Sequence, residues 1–369
     1  MPKMADLARP LEFIPHGTRF RRTSAFAWVG LCAAFLLAPA TTSAHARWFT
    51  DEGEHSAPEW DRLWSLPVGL AVLAGVVTVG LLISLQRWLG DPLWPRPPFF
   101  QRLEPSAAAI LGVQTAITII FMASRLNLFV PNIELPHNAL GVIIASLATV
   151  AAFSFITGVL TRLGGLLTIG LVLVAFAFAS PSEVFEQALF VGIAIYLIAV
   201  GRGVVRYEDQ AEEDRTEWSD RLQPIALSAL RIGAGISVLV LAFTEKLINV
   251  DLGVAFLENY PRFNVAREIG LTWFTDERFV YTVGIIEATA GVALLSGRLI
   301  RVVILALWIP FNLGIAFLPA EELIGHLPIL SAMYVLLVRG TEGIPPPENV
   351  TPGDEYDPMP TQRRATQAA

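Results

Sequence analysis

The sequence predicts an all-α, polytopic membrane protein. Three observations carry this: the composition, the length of the apolar runs, and the confinement of charge to loops, tails and a few positions within the runs. Of 369 residues, 54% are hydrophobic and 16% are charged, and the mean hydropathy is +0.55. Soluble domains carry about 25% charged residues. Apolar runs close to the roughly 20 residues needed to cross hydrocarbon recur along the chain. The formal net charge of −7 is spread over loops and tails. No basic cluster offers a nucleic-acid footprint, so the expected contact is membrane lipid.

Residues 1–46 open with Lys3, Arg9, Arg19, Arg21 and Arg22, continue as AFAWVGLCAAFLLAPA and end in TTSAHA. A basic region, a short apolar run and small residues before a cleavage point are the marks of a signal peptide. Cleavage after Ala46 leaves Arg47 first, and cleavage after Ala44 leaves His45 first; an uncleaved anchor helix is the alternative. The sole cysteine, Cys32, lies in this run. The mature chain then has no thiol for disulfides, Cys-ligated metal or thiol catalysis. A first-residue His45 would chelate copper through its amine and imidazole. No other metal-ligand spacing is present.

Residues 47–106 comprise an outer segment with Trp48, Trp60 and Trp64, a first span at Leu66–Leu85, and a Pro- and Arg-rich cytoplasmic connection. Spans at Ala107–Ala123, Ala139–Leu160, Leu163–Ala179 and Val184–Val200 fill 107–203. A charged stretch at 204–224 reads as a cytoplasmic linker. Spans at Ile225–Phe243, Phe279–Ser296, Val302–Leu318 and Leu323–Val338 fill 225–340, and 341–369 is a polar, Pro-rich tail expected to be disordered. The total is about nine spans after the signal peptide. The short connections carrying Arg87, Arg96, Arg102, Arg162, Arg298 and Arg301 fall on one side. By the positive-inside rule that side is cytoplasmic, as is the C-terminus of a multi-pass inner-membrane protein.

Blocks 107–203 and 225–340 can be laid on one another. Gly158-Val-Leu-Thr-Arg162 matches Gly297-Arg-Leu-Ile-Arg301, 139 residues on (297 − 158). FMASRLNLF at 121–129 resembles LAFTEKLIN at 241–249, and Tyr196 meets Tyr334 with a one-residue slip. Four spans per block make this a parallel repeat. The blocks differ in chemistry. Glu287 aligns with Ala148, Arg231 with Ile110, Glu245-Lys246 with Ser124-Arg125, and His326 falls near Gln187 or Ala188. The first block reads as a scaffold copy that lost its charged groups.

The second block resembles the DoxX family of four-helix membrane proteins. The residues that carry the resemblance are Arg231, the Glu245-Lys246 pair, Glu287 with Ala288 to Gly291, the turn Gly297-Arg298-Leu299-Ile300-Arg301, and FLENYPRFN at 256–264. It covers roughly 225–340 well and 107–203 weakly. It implies two four-helix bundles. It also implies association with quinone chemistry, because the family includes subunits linked to thiosulfate:quinone oxidoreductases and terminal quinol oxidases.

Glu287 sits mid-run in FVYTVGIIEATAGVALLSGRL (279–299). A charge at that depth costs about 2.5–3.5 kcal/mol on insertion scales, so the carboxylate is protonated, paired or in use. Arg231, Glu245 and Lys246 on the preceding span and His326 on the last are the partners on offer. Two readings stay open: a polar pocket for a quinone headgroup or proton relay, and ion pairs that lock helices together. A haem reading of His326 lacks a facing axial partner, since His137 stands at a helix start. The Asp251–Arg278 loop reads as an interfacial helix pair that would cover such a pocket, or as a plain connector.

The function expected on these grounds is a quinone-linked membrane subunit without an intrinsic cofactor, acting with a redox partner protein that carries one. It would not be catalytic alone. The alternatives are a small-solute or proton-coupled transporter, and a structural or assembly factor of a membrane complex.

Overall fold

A computed structural model describes residues 58–90, 97–202, 212–315 and 320–340, without the side chains of 212–221, 265, 309–315 and 320–322. The signal segment with His45, residues 203–211 and the tail from 341 lie outside the described residues. The described chain is helical. Its one β feature is an isolated antiparallel bridge between Asn127 and Glu134.

Helix α1 spans Leu66–Leu89, α2 Pro98–Ala123, α3 Ala139–Thr157 and α4 Thr161–Ala175. A short α5, Pro181–Glu186, is followed by α6, Ala188–Val200. Helix α7, Glu212–Ala242, runs on into a π-helical turn at Phe243–Leu247. Then come α8 Val250–Asn259, α9 Val265–Glu268, α10 Asp276–Ser296, α11 Ile300–Ile315 and α12 Ala320–Arg339. Five of these helices are long and apolar enough to cross a membrane: Leu66–Leu89, Pro98–Ala123, Ala139–Thr157, Leu222–Leu247 and Asp276–Ser296. Thr161–Ala175, Ala188–Val200 and Leu323–Arg339 are shorter apolar helices. Together they describe a multi-pass membrane protein. Exposed Leu73, Val76 and Leu81 on α1, Val150 and Phe153 on α3, and Leu166 and Leu173 on α4 form the lipid-facing surface.

The helix ends follow local chemistry. Asn138 accepts from the backbone N–H groups of Leu140 and Gly141 to start α3. Ser180 and Glu183 form a capping box at α5, and the Thr275 side chain caps α10. Gly158 and Gly297 end α3 and α10 in the left-handed conformation, as C-terminal glycines do. Two boundaries differ from the sequence expectation. Helix α2 begins at Pro98, so the division at 106/107 falls inside a helix. Residues 212–224, read as linker, are the first turns of α7; their charged side chains are good helix formers, and the helix extends beyond its apolar part.

Helices α2, α6, α7 and α12 form the interior. Within the first block α2 packs on α3, α3 on α4 and α4 on α6; within the second α7 packs on α10, α10 on α11 and α11 on α12. The blocks join reciprocally. The last helix of each, α6 or α12, packs along the first helix of the other, α7 or α2. Leu111, Ile119, Phe190, Ile193, Leu197, Leu230, Met333 and Leu336 fill this interior. Helix α1 stands outside both blocks and lies on α10, with Gly75 against Val292. Helix α8 packs on α10 beside the π turn. Its Phe256 stacks on Tyr260 at 5.2 Å, and both rest near Met122 of α2.

Candidate functional site

Backbone irregularities converge in the interior. The apolar run Val184–Val200, expected as one helix, breaks at Gln187 between α5 and α6. Ser237 of α7 holds the break: its hydroxyl donates to the Glu186 carbonyl at 2.6 Å and accepts from the Leu189 N–H at 2.8 Å. Facing it, Pro328 in α12 has no N–H for the carbonyl of Ile324 four residues back. Thr118 of α2 donates its hydroxyl to that carbonyl at 2.6 Å. The third irregularity is the π turn, closed by the Ile248 N–H on the Phe243 carbonyl at 3.0 Å. Irregular backbone at membrane depth is tolerated where it lines a cavity, and π turns occur often at functional sites. Ser237→Ala leaves two buried backbone groups unpaired and is expected to cost about 1–3 kcal/mol for each. Thermal unfolding in detergent measures this, and a melt like wild type would show that the break does not depend on Ser237.

The irregular segments surround a cavity of about 130 Å³. Glu186 and Gln187 reach it from the α5–α6 break, Ser237, Glu245 and Lys246 from α7 and its π turn, Glu287 from α10, His326 from α12 and Thr118 from α2. Lys246 Nζ lies 2.9 Å from Glu287 Oε2 and 3.8 Å from Glu245 Oε2. Glu245 is buried, whereas the Lys246 and Glu287 side chains are 20% and 29% exposed. Glu186 is 5% exposed and accepts the Thr244 hydroxyl at 2.7 Å. The extra residue of the π turn places consecutive Glu245 and Lys246 on the same cavity. Glu287 lies eleven residues past Asp276 (287 − 276), about 16 Å along α10.

Four of the five residues singled out from the sequence, Glu245, Lys246, Glu287 and His326, therefore line one cavity. Arg231 does not. It donates to the carbonyls of Leu294 and Leu295, both at 2.6 Å, and so caps the end of α10. Arg301, 2% exposed, does the same for α12 through the Leu337 and Val338 carbonyls. The picture of the first block as an uncharged scaffold is also corrected, because it supplies Glu186, Gln187 and Thr118. Glu186 was visible as a carboxylate at the head of an apolar run. Its depth was not, since the break that turns it inward is held by Ser237, 51 residues away.

The cavity offers hydrogen-bond donors in Lys246 and Gln187, the Ser237 and Thr118 hydroxyl protons being held by the Glu186 and Ile324 carbonyls. It offers acceptors in three carboxylates, and a histidine that does both. Such a set can bind a small polar ring or exchange protons with it. The chain is thus an all-helical, multi-pass membrane protein with a polar cavity between its interior helices. No family model, curated protein or solved structure matches this chain.

Proposed function

We propose that this chain is a duplicated DoxX-like protein of a cell inner membrane. Its cavity receives a quinone headgroup, and it serves as the membrane subunit of a redox assembly whose cofactor is carried by a partner protein. The observation that carries this reading is the cavity itself. An apolar cavity of about 150 Å³ admits benzene, so about 130 Å³ is of the right order for one ring. Lys246, Gln187 and His326 supply donors for the two carbonyls of a quinone, and the carboxylates supply acceptors for the protons of a quinol.

The duplication is supported by backbone conformation. Gly158 and Gly297, Leu160 and Leu299, and Gly201 and Gly340 all have positive φ. Each pair is 139 residues apart (297 − 158, 299 − 160, 340 − 201). A left-handed leucine is uncommon, so two at equivalent places argue for one inherited turn. The reciprocal packing of first and last helices supports the same reading. In this arrangement α5 and α6 count as one span, α4, α11 and α12 are short spans, and about nine spans follow the signal peptide. The arginine distribution sets the C-terminus in the cytoplasm.

A second reading, a small-solute or proton-coupled transporter, is favoured by the broken last helix of the first block and the proline-containing last helix of the second, which both line the cavity; discontinuous helices form the binding sites of transporters with repeats. One experiment separates the two. The full-length protein is purified in mild detergent, its lipids are extracted, and quinone is quantified by absorbance and mass. Bound quinone near one per chain is expected. A quinone-free protein that also fails to bind added short-chain quinone, yet accumulates solute in liposomes, would replace the first reading with the second.

A further inference from the structure

The seam between α2 and α12 continues past the cavity. The two helices run antiparallel: Thr118 meets Ile324, Ser106 meets the Tyr334 hydroxyl at 3.1 Å, and Glu104 pairs with Arg339 at 3.5 Å. Polar side chains recur along it. His326 and Thr118 stand at the cavity, and Gln114 and Thr115 lie one turn further along α2. Tyr334 follows with Tyr196 of α6, and the Glu104–Arg339 pair closes the far end. From His326 to Arg339 is thirteen residues of α12 (339 − 326), about 20 Å.

Buried polar atoms without a partner concentrate on this seam. Of nine such side-chain atoms among the described residues, four are Gln114 Oε1, Thr115 Oγ1, the Tyr196 hydroxyl and Arg339 Nε. Thr115 and Tyr196 are wholly buried, and Tyr196 lies close enough to Arg339 and Glu104 to interact with both electrostatically. Buried polar groups are almost always satisfied by protein or by ordered water. At the two ends of the seam the Glu287 and Glu104 side chains are 29% and 27% exposed. Between Thr115 and Tyr334, buried Leu111, Ala107 and Ala108 close the seam to a hydrated ion.

We propose that this seam conducts protons between the cavity and the Glu104 end through a chain of side-chain hydroxyls and water. Each hydroxyl accepts a proton on a lone pair and releases the one it held to the next acceptor, so no group is changed after a transfer. The path is independent of which ligand fills the cavity.

The test uses the full-length protein in liposomes loaded with potassium and a pH-sensitive dye, with valinomycin imposing an inside-negative potential. Internal acidification faster than in protein-free liposomes is expected. Tyr196→Phe and Thr115→Val remove one hydroxyl each with little change of shape. Both are expected to slow acidification roughly tenfold or more, while Ser154→Ala, off the seam, conducts like wild type. Thermal melting of each variant shows that it has folded. A wild-type rate equal to that of protein-free liposomes, or folded Tyr196→Phe and Thr115→Val proteins that conduct like wild type, would overturn the proposal. Quinone content measured on the same preparations keeps this outcome separate from the fate of the quinone reading.

Discussion

Gly233→Val is expected to prevent the two blocks from closing. Helices α6 and α7 cross with backbone against backbone. A Cβ on Gly233 would lie 2.6 Å from the Ala188 carbonyl oxygen and 3.1 Å from the Gly192 Cα, and a Cβ on Gly192 would lie 2.6 Å from the Ala229 carbonyl oxygen. No side-chain rotation relieves such contacts, so the helices must separate. On its other side α7 meets α10 in the same manner, with a Gly291 Cβ 2.9 Å from the Gly235 carbonyl oxygen. Helix α7 is therefore held between two close crossings and cannot shift away from one without entering the other. Within a bilayer, helix association depends on van der Waals packing rather than on expulsion of water, so a lost close contact has little to replace it. Overpacking costs typically about 1–3 kcal/mol, which is the expectation for Gly233→Ala; the larger side chain of Gly233→Val should exceed that range. Separation would also pull Ser237 away from the α5–α6 break. The control is Gly69→Ala or Gly80→Ala on α1, where a Cβ would meet nothing within 4 Å. These should be neutral or slightly stabilising, since glycine inside a helix costs about 0.5–1 kcal/mol relative to alanine. Unfolding in detergent compares the four proteins. A Gly233→Val melt matching wild type would mean that the α6–α7 crossing is looser than the backbone geometry requires.

Much of this architecture was legible in the sequence because it depends on local signals. Apolar runs set the helices, and Gly158 and Gly297 set matching turns. The Lys246–Glu287 pairing was among the partners that depth and charge suggested. What was not legible depends on contacts between distant segments. The break at Gln187 falls on the polar pair Glu186-Gln187 near the head of an apolar run, and neither residue is a helix breaker; Ser237 on another helix satisfies the freed groups. Arg231 lay on the right span for a pocket residue, but its long side chain reaches carbonyls at the end of α10. Sequence distance along a helix gives the level of such a group, not the direction in which it points. The charged stretch at 212–224, the first turns of α7, departs from the expectation for the opposite reason. Dense charge suits a linker, but Glu and Arg also favour helix when no packing opposes it. The π turn also depends on fit: it admits an extra residue so that Glu245 and Lys246 both reach the cavity, and no composition rule announces it.

Glu287→Gln is expected to leave the fold nearly intact and, on the quinone reading proposed above, to abolish quinone binding. Removing one partner of a fully buried ion pair costs about 3–5 kcal/mol, because the other charge is left alone. Here the cost should fall to about 1–2 kcal/mol for two reasons. The pair is partly exposed, so solvent screens it. Glu245 Oε2 already stands 3.8 Å from the same ammonium and can take over as its counter-charge. The double variant Glu245→Gln/Glu287→Gln removes both, and it should cost more than the two single variants together, while screening keeps it below the roughly 3–5 kcal/mol of a fully buried pair. The two single costs should therefore sum to less than the double, which is the signature of groups that share one partner. On the quinone reading, binding should respond differently from stability. Glutamine keeps the size and hydrogen bonding of Glu287 but cannot take up or release a proton, so bound quinone or the associated redox activity should be lost in the single variant although it folds. If the Lys246–Glu287 pair served only to lock α7 to α10, quinone content would follow stability, falling slightly in the single variant and fully in the double. Thermal melting and quinone content measured on the same four proteins tell these cases apart. A single variant that melts and retains quinone like wild type, together with additive costs in the double, would remove Glu287 from the site.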